Sequence, residues 1–301
     1  MATANKTGSS LAGPPADPAF ASALDELVAM AKQGHNRECQ FFNPPNEWLI
    51  GHMRIFQDMP LQEQERVLQE SRQVVQEGER LNSEGKAAAR AWSDAVVRLD
   101  SGGLGFFSQL GVARRPDLTQ YFIDGFPKNR DALAFSEANQ ALFAEVFPYI
   151  STAMREHFAS GDIIVQTDRQ IGDAPGRTFH ARQLLFGTYY LQMPYMWRQL
   201  TFDLPDGQLH EEPDILEVSL PNWLDDLGLP QQLQDRIRDA GLTRLVFKAP
   251  TKGLSLHLGF DYVGEHKMGP LTIAMFQVRQ AKGLALQAAL SMARIKTLDG
   301  N

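Results

Sequence analysis

The stretch LSLHLGFDYVGEHKMG, Leu254 to Gly269, decides how the C-terminal half of the chain is read. Apolar and polar residues alternate as far as Tyr262, the period-2 signature of a strand with one buried face. On that pattern Leu254, Leu256, Leu258, Phe260 and Tyr262 share one face, and Ser255, His257, Gly259 and Asp261 share the other. The following GEHKMGP is polar and carries glycine and proline, so it reads as a turn. LTIAMFQVR, rich in β-branched and aromatic residues, then reads as the returning strand. The expectation is a hairpin with one apolar and one polar face, and a core containing Phe247, Leu256, Leu258, Phe260 and Ile273. His257 and Asp261 are four residues apart, so their backbones lie ~13 Å apart along a strand and they cannot chelate one metal alone.

Working outward, DIIVQTDRQI, ARQLLFGTYYLQ, WRQLTFDL, DILEVSL and TRLVFKAP also carry the strand signature, while NWLDDLGLPQQLQDRIRDAG reads as a helix in two pieces. AKGLALQAALSMARIKTL reads as a closing helix. The predicted fold class is α+β, with an N-terminal helical region followed by an antiparallel sheet domain with flanking helices. The order of elements between Arg198 and Leu298 is similar to that of PAS-like sensor modules. These pack an antiparallel sheet against short helices around a small ligand cavity and often dimerise through flanking helices. Roadblock-like and profilin-like modules share part of this order. The similarity is one of element order and involves no motif residue, so what it implies about function is analogy.

The N-terminal half carries helical signals. Residues 1–17 are small, polar and rich in Pro and Gly, which predicts a disordered tail. DPAFASALDELVAMAKQG predicts a helix started by Asp17-Pro18 and stopped by Gly34. From Leu61 to Leu99, Val67, Ser71, Val74, Gly78, Leu81, Gly85, Ala88, Trp92, Ala95 and Leu99 recur at alternating steps of four and three. That heptad seam predicts a long helix over 61–99, and its small members would let a second copy approach closely, so a homodimer is expected. LDSGGLGFFSQLG lacks a phosphate-loop signature and reads as a helix connector. PDLTQYFIDGF reads as helical, as does the run from Asn129 to Gly161. The expected organisation is a tail over 1–17, a helical domain over 18–160 and a sheet domain over 161–301.

Composition narrows the function classes. A formal charge of −7 over 301 residues argues against general nucleic-acid binding. No apolar run approaches the ~20 residues of a membrane span, and the N-terminus lacks a secretory pattern, so a cytoplasmic protein is expected. Cys39 is the single cysteine, which excludes an internal disulfide and an all-cysteine metal site. No motif names a cofactor or a set of metal ligands. On the polar face, His257 with Asp261, and His180 from a neighbouring strand, are the candidate acid/base groups. Arg177, Arg182, Arg198 and Lys248 are the candidate ligand-binding cations. The leading expectation is a ligand- or partner-binding protein of sensor or scaffold type, self-associating through the long helix. The alternative is a small-molecule enzyme using a histidine and a carboxylate of the polar face; burial of His257 and Asp261 separates the two, since a water-excluded cleft with a perturbed histidine favours an enzyme and an open sheet face favours binding.

Overall fold

The computed structural model describes residues 17–69, 72, 95–107, 119–124, 133–134, 136–173, 178–187 and 190–285. Helix α1, Pro18–Gln33, forms as its sequence dictates: the Asp17 carboxylate accepts from the Ala19 amide at 2.9 Å, and Gly34, at φ 58°, ends it. Its stripe of Phe20, Leu24, Leu27 and Ala31 is buried. After α2, Asn46–His52, comes strand β1, Arg54–Ile55, which pairs in parallel with β2, Ala95–Arg98. β2 turns back into β3, Leu104–Phe107. Next come β4, Gln120–Ile123, β5, Leu133–Ala134, and the long helix α3, Glu137–Ser160, N-capped by Ser136. The chain continues with β6, Ile164–Ile171, β7, Phe179–Phe186, α4, Gln192–Leu200, and β8, Ile215–Leu220. Short helices α5, Trp223–Asp226, and α6, Gln231–Asp239, lead to β9, Leu245–Ala249, β10, Leu254–Leu258, and α7, Val263–Gln280.

The main sheet has the order β5-β4-β9-β10-β8-β7-β6. Pairings β5–β4, β4–β9, β10–β8 and β8–β7 are parallel; only β9–β10 and β6–β7 are antiparallel. The fold is therefore mixed α/β, and the expected antiparallel sheet domain is overturned. Parallel neighbours need a crossover that covers a face of the sheet, so both faces are buried, as β8, β9 and β10 are along their whole length. On one face α1 and α3 pack against Leu216, Val218, Phe247, Leu256 and Leu258. Within that core Phe20 and Phe147 lie 4.6 Å apart between ring centroids, and both pack on Phe247. On the other face lie α4 and α7.

The decisive error of the sequence reading is at 263–280. LTIAMFQVR does not return as a strand; together with the supposed turn it forms α7. Its buried positions, 265, 266, 269, 270, 273 and 274, make a clean helical stripe. Two members, Glu265 and His266, are ionisable, which hides the stripe from a search for apolar periodicity. Of the run 197–204, also expected as a strand, residues 197–200 end α4 and Phe202 makes only an isolated bridge to Gln170. Residues 120–123, expected within a helix, form β4 and pair with β9, so the main sheet takes strands from both sides of residue 160. The expected helix over 61–99 is seen at 61–69, but its far end, where Val96 and Val97 supply β-branched bulk, is β2. Residues 70–71 and 73–94 of the seam, residues 1–16 of the expected tail and most of the expected closing helix lie outside the described residues. Among the described residues no helix is long and apolar enough to cross a membrane.

The five predicted core residues are buried, but not as one face. Alternation stops at Gly259, whose φ of 82° redirects the chain, so Phe260 packs with Tyr121 and Val246 on the face opposite Leu256 and Leu258. A Cβ at residue 259 would stand 1.9 Å from the Thr243 carbonyl oxygen, whereas one at Gly161, at a similar φ of 79°, would meet nothing. Gly161→Ala should therefore cost only the left-handed backbone penalty, about 1–2 kcal/mol. Gly259→Ala should cost clearly more, because backbone has to move as well. Urea unfolding of the two variants checks this, and equal losses would mean that the close approach of residues 243 and 259 is wrong.

Candidate functional site: a polar layer beneath helix α7

The face of the sheet under α4 and α7 carries the polar positions Ser255 and His257 of the alternating stretch, continued by polar residues of the neighbouring strands. Strand register places Thr167 of β6 beside Gln183 of β7, Gln183 beside Glu217 of β8, Glu217 beside Ser255 of β10, and Ser255 beside Lys248 of β9. This is one polar row across five strands, and no member is more than 5% exposed. One register step along, Ser219 of β8 stands beside His257 of β10. Helix α7 adds Glu265 and His266 from above. Gly269 allows the contact, since a Cβ there would lie 2.3 Å from Ser255 Oγ and 2.7 Å from His257 Nε2.

Part of this layer is paired. Lys248 Nζ meets Glu265 Oε1 at 3.2 Å, and the Tyr121 hydroxyl donates to Glu265 Oε2 at 3.1 Å. His266 Nδ1 lies 2.6 Å from Glu217 Oε1 and 2.8 Å from Ser219 Oγ, while the Ser219 hydroxyl also donates to Glu217. A carboxylate can only accept, so Glu217 assigns the proton of His266 to Nδ1. Ser255 Oγ meets His257 Nε2 at 2.6 Å, and the two imidazoles stack with centroids 4.4 Å apart. Burial, then the neighbouring His266 and Lys248, push His257 well below the ordinary imidazole range, so its ring is neutral.

Part of it is not paired. Thr167 Oγ1, both polar atoms of the Gln183 amide, Glu217 Oε2, His257 Nδ1 and His266 Nε2 are buried without a hydrogen-bond partner. Glu217, His257 and His266 each offer a donor atom within 4.8 Å of the other two, the spacing of a potential metal centre.

The residues singled out from sequence divide between three places. His257 and Lys248 belong to this layer. Asp261, fully buried, accepts from Gln192 Nε2 at 3.0 Å; the carboxylate grouped with His257 is that of Glu217. His180 and Arg182 lie on the other face of the sheet, because Arg182 is in register with Leu216. There Arg182 binds Asp168 through Nε at 2.8 Å and Nη2 at 2.7 Å, and donates to the Ala31 and Lys32 carbonyls at the C-terminal end of α1. His180 Nε2 joins Asp168 at 3.1 Å. Arg198, on α4, donates to Asn46 at 3.1 Å. Arg177 lies outside the described residues.

Sequence reasoning missed Glu217, Gln183 and Thr167, and placed His266 in a turn. The available signal was a lone Glu inside DILEVSL and a lone Gln inside ARQLLF, polar side chains interrupting strands otherwise fit for burial. Compared with known proteins, the chain matches no family model and no curated sequence.

The Asp168–Arg182 pair yields a prediction. Burial raises the Asp168 carboxyl, but hydrogen bonds from Arg182 and then His180, with their charges, outweigh it and hold it below the usual carboxylate range. With the folded pKa below the unfolded value of about 3.9, the unfolded chain binds more protons in between. The stabilisation is complete above about pH 4 and is lost as the pH falls through the folded pKa. Asp168→Asn leaves Arg182 buried without its counter-charge and should cost about 3–5 kcal/mol at pH 7. It should also flatten the acid limb of the stability curve. Denaturant midpoints from pH 7 down to 3 measure both, and a variant as acid-sensitive as the parent would place the linkage elsewhere.

Proposed function

We propose that the protein is a binding protein whose ligand is a small polar species held in the layer between the sheet and α7. The observation that carries this reading is the row of buried polar side chains, with its unpartnered atoms gathered in one place. Leaving a buried donor or acceptor unsatisfied costs about 1–3 kcal/mol. Several together approach the whole net stability of a domain, about 5–15 kcal/mol. An apolar row would be the cheaper core, whereas a ligand that completes these hydrogen bonds offsets the cost and is held with directional specificity.

The acid/base alternative passes from His257 and Asp261 to His266 and Glu217, where an imidazole and a carboxylate are in direct contact. The water-excluded His257 and Asp261, with burial holding the His257 pKa well below its ordinary value, meet the condition that favours an enzyme, but residues sealed at 0–1% exposure suit a held ligand better than a substrate that has to come and go. The self-association expected from the 61–99 seam has lost its continuous helix at Ala95, and the binding reading draws its support from the polar layer alone.

Native mass spectrometry of the protein as isolated, compared with its denatured mass, tests the reading. A discrete non-covalent addition is expected, and Gln183→Met should diminish it. The same substitution should raise the stability of the ligand-free chain by about 1–3 kcal/mol, because it removes an unsatisfied buried amide while keeping its volume. A chain that carries only its own mass, and whose melting temperature is unmoved by divalent cations, small carboxylates, amines or phosphate, overturns the proposal.

A further inference from the structure

We infer that Glu217, His257 and His266 form a centre for a divalent transition-metal ion of the zinc or ferrous class. The inference rests on the polar layer being a binding site and names the species bound in part of it. Three features of the geometry point to a metal.

The first is convergence. One donor atom from each of the three side chains lies within 4.8 Å of the others. A metal with bonds of about 2.0–2.2 Å sets its ligands roughly 3.4 Å apart in a tetrahedral shell, a closure that small side-chain rotations supply. The second is how the imidazoles are held. Each has one nitrogen engaged by oxygen, His257 Nε2 by Ser255 and His266 Nδ1 by Glu217 and Ser219, and each keeps its other nitrogen unpartnered. Ser255 holds His257 in the way an outer oxygen partner orients a metal-binding histidine, while Glu217 and His266 already touch at 2.6 Å, so the ion takes the place of the proton between them. The third is polarity. Glu217 Oε2 is a carboxylate oxygen without a partner, and His266 offers a lone pair at Nδ1 once the proton it shares with Glu217 is displaced. Groups that offer electron pairs repel an anion and attract an electron-pair acceptor.

Donor chemistry selects among cations. Two imidazoles and one carboxylate suit zinc, ferrous iron and their first-row neighbours, whereas Mg²⁺ and Ca²⁺ demand shells dominated by oxygen. Cys39 belongs to a different segment, on the loop between α1 and α2, and adds no thiolate to the set. Three protein ligands leave at least one coordination position for an exogenous group. The unpartnered Gln183 amide stands in register with Glu217 on the neighbouring strand and is available to meet that group.

The experiment uses the full chain carrying Cys39→Ser, which removes the one thiol, stripped with a chelator and titrated calorimetrically with Zn²⁺ and, separately, Mg²⁺. One Zn²⁺ per chain is expected with no Mg²⁺ binding, and His257→Gln and Glu217→Gln should each weaken Zn²⁺ by ~100-fold or more. Should either variant fail to fold, long-range imidazole nitrogen shifts of the parent answer instead, since Zn²⁺ has to perturb His257 and His266 ahead of the other histidines. No stoichiometric Zn²⁺ binding overturns the inference, as does binding that both variants retain or that shifts only surface histidines. If Zn²⁺ fails while the isolated protein still carries an organic ligand that Gln183→Met displaces, the metal centre falls and the binding layer stands. If nothing binds, both fall.

Discussion

A helix lying on the ionisable face of a fully buried sheet is the constraint on which this structure depends. Glu217 and His266 meet at 2.6 Å with neither more than 1% exposed, and Lys248 meets Glu265 nearby. Each partner comes from a different layer, the sheet below and α7 above. Removing charged groups from water is tolerable only when their counterparts arrive in the same step. Docking of α7 is thereby tied to one register, because sliding it by a turn would strand Glu217 and Lys248 without partners. Gly269 makes the approach close enough, since any side chain there would collide with Ser255 and His257.

The two faces of the sheet divide the work. The face toward α1 and α3 is an aromatic and aliphatic core around Phe247, with one polar clamp in which Asp168 and Arg182 tie strands β6 and β7 to the end of α1. Both oxygens of the Asp168 carboxylate are engaged, by Arg182, His180 and Gln166, which fits a structural role, although His180 Nδ1 has no partner. The face toward α7 is the reverse: its polar atoms are concentrated in one row and are incompletely satisfied within the chain. One unpartnered ring nitrogen beside a fully engaged carboxylate on one side, against several unpartnered atoms in the layer on the other, separates a structural polar cluster from a binding one.

Much of the secondary structure was legible. Helix α1 has its cap, stripe and stop in sequence, and α3 ends at Gly161 as expected. Strands β6, β8, β9 and β10 fall within runs that alternate or are rich in β-branched residues. Helix α7 was not legible. Its glycines, proline and β-branched residues argue locally for a turn and a strand, and local propensity is a weak prior that packing overrides. That one element changes the connection after β10 from a hairpin to a helix and covers the polar face.

By itself the sequence determined which residues alternate, and therefore that Ser255 and His257 would share a face opposite Leu254, Leu256 and Leu258. It also determined that no disulfide or thiolate cluster enters the chemistry, because Cys39 stands alone. Only the tertiary structure decided what that polar face meets. Alternation states which side chains lie together but not whether water or a helix covers them, since a strand half-exposed and a strand lined with paired polar groups have the same period. Register was decided there too. Thr167, Gln183, Glu217, Ser255 and Lys248 are scattered between positions 167 and 255 of the chain, and hydrogen bonding between five strands brings them into one row.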